Sequence, residues 1–167
     1  EVPQAVGWHT DFGYWRTCSS PEMLTAWVPF TDMEEAIGTI SFIDGSHRWP
    51  QNNHLDFFSS DLDGLEKQFE TGGAPVVKVA AVMRRGQVSF HHCKTIHGST
   101  PNTTNAPRRS IALHLQPASN RYVERPADDG SLYTHPNDEL TRSADGRPHY
   151  DDPVFCPVVG RVTQRHP

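Results

Sequence analysis

Apolar and polar residues alternate in short runs along the first two thirds of the chain. Leu24, Ala26, Val28 and Phe30 interleave with Met23, Thr25 and Trp27, the period-two pattern of a strand over residues 23–30. Residues 7–12 read as an earlier strand. Residues 38–43 read as a third, closed by the turn pair Asp44-Gly45. A β-branched run covers 75–82. After Arg84-Arg85-Gly86, residues 87–92 form the next strand, with Val88, Phe90 and His92 expected on the inward face. Residues 95–99 follow, then a plain turn over 101–107. In the last clear strand, 108–115, Arg108, Ser110, Ala112 and His114 share one face and Arg109, Ile111, Leu113 and Leu115 the other.

One segment has helical spacing. Over residues 60–70, Ser60 or Asp61 can cap, Leu62, Leu65 and Phe69 lie on one side, and Gly72-Gly73 ends the run. Many short strands with one helix predict an all-β sandwich or barrel carrying a helical insert. Beyond Pro117 apolar residues thin out and Pro, Asp, Gly and Asn accumulate. The expected division is a core over 1–117 and an irregular extension, 118–167, packing on that core.

Composition narrows the function classes. The 167 residues suffice for one core, and a net charge of -5 advertises no surface for nucleic acid. No apolar run approaches the length of a membrane span, so no membrane partner is expected. Cys18, Cys93 and Cys156 contain no Cys-X-X-Cys pair and read as free thiols in a reducing, cytoplasmic setting. Oligomeric state stays open. The first residue is Glu1, and a chemically important residue close behind it would be poorly held by a free end. The protein is therefore expected to extend further N-terminally.

The candidate chemistry starts at His9-Thr10-Asp11. In an extended strand, residues two apart project from one face with Cα atoms about 6.7 Å apart. His9 and Asp11 could then meet on one cation, as two of the three ligands of a non-haem Fe(II) facial triad. His97 is the candidate third ligand. Arg108 follows it eleven residues later, with Ser110 on the same face. A guanidinium followed by a hydroxyl suits a distal carboxylate. An inward arginine in a β-core also requires an anion nearby. Arg109, one residue off, faces away. His92 and His114 are candidate pocket wall.

These pieces, with Gly-Thr-Ile-Ser-Phe-Ile-Asp-Gly-Ser-His-Arg-Trp from Gly38 and Gly-Gln-Val-Ser-Phe-His-His from Gly86, resemble the phytanoyl-CoA dioxygenase family over residues 7–117. The resemblance implies a double-stranded β-helix (a cupin-like jelly roll) that uses Fe(II), 2-oxoglutarate and O2 to oxidise a small-molecule substrate, releasing succinate and CO2. It implies His9, Asp11 and His97 as iron ligands. Arg108, Ser99, Trp27 and Thr10 would contact 2-oxoglutarate, with Trp15 on the pocket wall. In related halogenases a small residue replaces the acid, so Asp11 implies hydroxylation and not halogenation. The family's segment before His9 is absent here. A non-catalytic cupin-like metal-binding domain, or a cupin-type hydrolase or isomerase, would need no carboxylate anchor at Arg108.

Overall fold

The computed structural model describes residues 4–127 and 129–160. They divide into two compact units, one running up to Tyr14 and again over Pro21–Gln116, the other over Trp15–Ser20 and from Pro117 onward.

The first unit is a double-stranded β-helix. Its strands are β1 (Val6–His9), β2 (Leu24–Pro29), β3 (Ile40–Ile43), β4 (Lys78–Ala80), β5 (Ser89–His92), β6 (His97–Ser99) and β7 (Ser110–Leu115). They form two sheets with the orders β1-β6-β3-β4 and β5-β2-β7, every pair antiparallel. Except at the β3–β4 connection, successive strands alternate between the sheets. Distant chain segments therefore become neighbours. His9 at the end of β1 lies opposite His97 at the start of β6.

Strand register decides what faces the space between the sheets. Thr25 of β2 pairs with His91 of β5 and His114 of β7, and Trp27 pairs with Ser89 and Ala112. Thr25, Trp27 and His91 of this set are buried between the sheets, while Ala112 and His114 on β7 are exposed. Trp27 packs there with Met33, Ile37 and Ile40, flanked by Phe42. The opposite set, Leu24, Phe90, Ile111 and Leu113, lies on the outer face and stays exposed. The apolar alternation in β5 therefore pointed the wrong way. Phe90 and His92 face outward, and His91 faces inward.

A second apolar cluster covers the other side of the first sheet. Trp8, Ile43, Leu55, Leu65 and Ile96 are buried there, with Trp49, Leu62 and Phe69 against them. Each such side chain contributes about 1.5–3 kcal/mol on burial. The helix supplying Leu65 is α1 (Leu62–Glu66), capped by Asp61, whose carboxylate accepts from the Gly64 N–H at 2.9 Å. The cap was legible, but the helix is five residues long where 60–70 was expected. Gly64 in its middle weakens propagation, and the chain turns so that Phe69 meets Trp8 edge-on at 6.1 Å.

Gly7 shows how tightly this layer rests on β1. A Cβ there would lie 2.2 Å from the Asp56 carbonyl oxygen and 2.8 Å from that of Ser59. Two backbone oxygens cannot yield as a side chain can. Gly7→Ala is expected to cost about 1–3 kcal/mol, read as a lower thermal midpoint at unchanged secondary structure.

The second unit has a polar centre. Thr17, Asn120, Asp138 and Thr141 are buried. The Tyr150 hydroxyl donates to Asp138 Oδ1 at 2.7 Å and lies 2.9 Å from Thr17 Oγ1. Its helix α2 (Pro136–Leu140) carries a capping box built by His135 and Asp138, with Pro136 in the first turn. The irregular reading of the tail missed α2. The His-Pro-Asn-Asp order was the available signal. No helix among the described residues is long and apolar enough to cross a membrane.

Candidate metal centre

Strand β1 stops at His9, and Asp11 sits on a single 3-10 turn, Asp11–Gly13. This corrects the expectation of one extended strand carrying both groups. The Tyr14 N–H bonds to the Asp11 carbonyl at 3.0 Å and the Gly13 N–H to that of Thr10 at 3.1 Å, closing the turn. The turn carries the Asp11 carboxylate between the two imidazoles. Asp11 Oδ1 lies 3.9 Å from His9 Nε2 and 3.5 Å from His97 Nε2. The three donor atoms all lie within 4.8 Å of one another, and all three residues are buried.

Both imidazoles are fixed by their far nitrogens. His9 Nδ1 lies 2.7 Å from the Gly7 carbonyl oxygen, and His97 Nδ1 2.9 Å from that of Thr95. A carbonyl accepts only, so each Nδ1 carries the proton and each Nε2 lone pair is left toward Asp11. Phe57 abuts the His9 ring edge-on at 4.6 Å, and the His9 and His97 rings are 4.1 Å apart.

The charge states match this geometry. Burial pushes His9 down and holds His97 down to about 3, so both rings are neutral near pH 7. Burial alone would raise Asp11. The neighbouring His97, with His91 and Thr25 on the other side, overcomes that and leaves the carboxyl well below its ordinary range. Thr25 donates to Asp11 Oδ2 at 2.5 Å. Two neutral nitrogens and one carboxylate oxygen are the donor set of a divalent first-row cation. The fit is good: the donors are pre-oriented, and together they carry one negative charge for a cation to neutralise.

The other predicted residues fall in several places. Ser99 is buried on β6 beside Ile40, and among the described residues its hydroxyl has no hydrogen-bond partner. Trp27 is buried on the facing sheet. Arg108, half-buried, donates from Nη1 to the Gly38 carbonyl, reaching from the start of β7 to the Ser99 end of the first sheet. Burial lowers its pKa, and among the described residues no carboxylate pairs with it. Arg109 is exposed. Ser110 is exposed opposite Pro29. His114 Nδ1 lies 3.0 Å from Thr25 Oγ1.

Two predicted contacts change. Thr10 is buried, but its hydroxyl donates to Asn53 Oδ1 at 3.1 Å and anchors the 50s loop instead of lining the co-substrate space. His92 is not pocket wall: it faces outward, its ring 5.8 Å from His47. Trp15 belongs to the second unit. Sequence reasoning missed Thr25 and His91, although Thr25 shares the parity of Trp27.

The family model for phytanoyl-CoA dioxygenase matches residues 2–110. An ectoine dioxygenase of Bordetella parapertussis is 29% identical over 123 residues, covering 64% of this chain and 39% of that protein. The solved structure of EctD from S. alaskensis, with 2-oxoglutarate and 5-hydroxyectoine, is similar at TM-score 0.54 and 25% identity, covering 74% of this chain and 42% of that one. The non-haem alpha-ketoglutarate-dependent carbocyclase SnoK from nogalamycin biosynthesis shares the fold at TM-score 0.63 and 24% identity, covering 89% of this chain and 54% of that one. The chain thus spans about two fifths of the curated relative's length. With the match running through both halves of the His9, Asp11 and His97 cluster, the chain belongs to the phytanoyl-CoA dioxygenase family.

Proposed function

We propose that the chain carries the catalytic centre of an Fe(II)- and 2-oxoglutarate-dependent oxygenase that hydroxylates a small organic substrate. The carrying observation is the buried His9, Asp11 and His97 cluster with both Nε2 lone pairs turned inward. Family membership and the 2-oxoglutarate in the solved EctD structure support the same reading. His9, Asp11 and His97 would hold Fe(II) on one face. Held there, Fe(II) would supply, with 2-oxoglutarate and O2, the oxidising chemistry of this enzyme class, with succinate and CO2 as co-products.

The chain's own residues do the positioning. Arg108 would take the far carboxylate of 2-oxoglutarate with the donors not spent on Gly38, and Ser99 would add its unpaired hydroxyl. Trp27 would form the apolar wall beside it and exclude water from the reacting end. Asp11 fills the position a halide would need, which favours oxygen transfer. The three unbridged cysteines support a reducing, cytoplasmic setting.

Supplied with Fe(II), 2-oxoglutarate and air, the protein is expected to form succinate, and His97→Ala to fall to the metal-free background. Succinate quantified by mass spectrometry checks this. Unchanged turnover in His97→Ala would remove the assignment.

A further inference from the structure

His91 is a buried imidazole beside the site that the ligand set does not use. It is 6% exposed, and among the described residues neither ring nitrogen has a hydrogen-bond partner. A buried polar group without partners costs about 1–3 kcal/mol. The ring is nonetheless held: it lies 4.5 Å from the His97 ring and 5.0 Å from that of Phe42. Its register fixes its direction, because it pairs with Thr25 and shares that residue's inward face.

The two oxygens of Asp11 meet different company. Oδ1 faces His9 and His97. Oδ2 accepts from Thr25 at 2.5 Å and has His91 Nε2 at 3.4 Å, just outside hydrogen-bond geometry. His91 is not a member of the three-residue ligand cluster. It stands behind the carboxylate, at the oxygen that the other two imidazoles do not face.

We infer that His91 is a positioning residue: with Thr25 it grips the outer oxygen of Asp11, so that the carboxylate offers a metal Oδ1 alone. A carboxylate free to turn could present both oxygens and occupy a coordination position that a co-substrate needs. Thr25 already donates to Oδ2, and a second donor from His91 would prevent that turn. Thr25 spends its single proton on Oδ2, so its contact with His114 at 3.0 Å is one in which the His114 Nδ1–H donates. At 3.4 Å, the His91 Nε2–H needs only a small ring rotation to donate to Oδ2. The metal then gains a ligand whose orientation is set from two strands, β2 and β5.

This inference rests on His9, Asp11 and His97 being the metal ligands, and the test separates the two. Co(II), whose visible spectrum reports coordination number, is titrated into wild type, Asp11→Ala, His91→Phe and His91→Gln, with folding followed by circular dichroism. Wild type binds and Asp11→Ala does not; Co(II) binding that survives in Asp11→Ala sinks the ligand assignment itself. His91→Phe keeps the ring packing and loses the donor. It is expected to bind Co(II) about 10–100-fold more weakly, with a spectrum shifted toward higher coordination. His91→Gln, which retains a donor near the Nε2 position, restores most of the affinity and the wild-type spectrum. A His91→Phe protein matching wild type in affinity and spectrum overturns the inference, as does equal impairment of the Phe and Gln variants. If His91→Phe does not fold, His91→Gln is compared with His91→Leu, and equal affinities of those two overturn it.

Discussion

Asp11→Asn is expected to abolish tight divalent-metal binding while the chain still folds. The substitution keeps the side chain's shape but removes the only charge in the donor set. Loss of an outer hydrogen-bonding partner costs about 10–100-fold in metal affinity, and loss of the anionic ligand itself exceeds that range. The histidines cannot compensate, because their Nδ1–H groups are already committed to Gly7 and Thr95. Isothermal titration with Fe(II) under anaerobic conditions, or with Co(II), measures the effect. An Asp11→Asn protein that binds as wild type does would show that the anion is not a ligand.

The same group sets a pH dependence of the metal-free protein. Asp11 is held below its ordinary value in the folded chain, so the unfolded chain binds more protons as the pH falls through the carboxylate range. His97 acts in the same direction from higher pH. Its folded value is about 3 and its unfolded value about 6.5, so between those limits the unfolded state takes up a proton that the folded state refuses. Stability is therefore full above about pH 6.5 and declines as the pH drops below it. Thermal midpoints should fall with acidification across that range, and Asp11→Asn should lessen the fall only at its acid end, where the carboxyl itself titrates, because His97 keeps its depressed value without the carboxylate.

Much of this frame can be read from residue order. The alternation over 23–30 located β2, and the 108–115 run located β7, with Arg108 half-buried and Arg109 exposed just before it. It failed in β5 for a physical reason. The outer face of the second sheet carries Phe90, Ile111 and Leu113, as apolar as an interior but exposed. A rule that turns apolar residues inward inverts such a strand and hides His91 behind His92. The 3-10 turn at Asp11 was equally hidden. His-Thr-Asp has no strong turn former, and the turn is stabilised by contacts distant in sequence, among them the Phe12 N–H on the Cys93 carbonyl at 3.0 Å and Thr10 on Asn53. Thr25 looked like an ordinary strand threonine. Its role depends on the packing of one sheet against the other, which no local pattern contains.

Arg108→Ala is expected to weaken 2-oxoglutarate binding most strongly among changes that leave the metal ligands intact. The Arg108 guanidinium is half-buried, so it has lost part of its hydration, and among the described residues it gains a backbone carbonyl and no acid in return. A distal carboxylate would complete it with charge-assisted bonds, in the fork geometry that arginine alone provides. Removing one partner of such a desolvated pair costs about 2–5 kcal/mol, or roughly 30-fold and upward in the dissociation constant. Arg108→Lys keeps the charge without the fork and should fall between wild type and alanine. Arg109→Ala, on the exposed side, should leave binding unchanged. Metal affinity should hold in all three variants, because Arg108 touches none of the ligands; that separates loss of the anchor from collapse of the site. The readout is the charge-transfer absorption of the anaerobic Fe(II)–2-oxoglutarate complex, titrated with the co-substrate. Equal titration midpoints for Arg108→Ala and wild type would assign the carboxylate to another cation and leave Arg108 as a strut between β7 and Gly38.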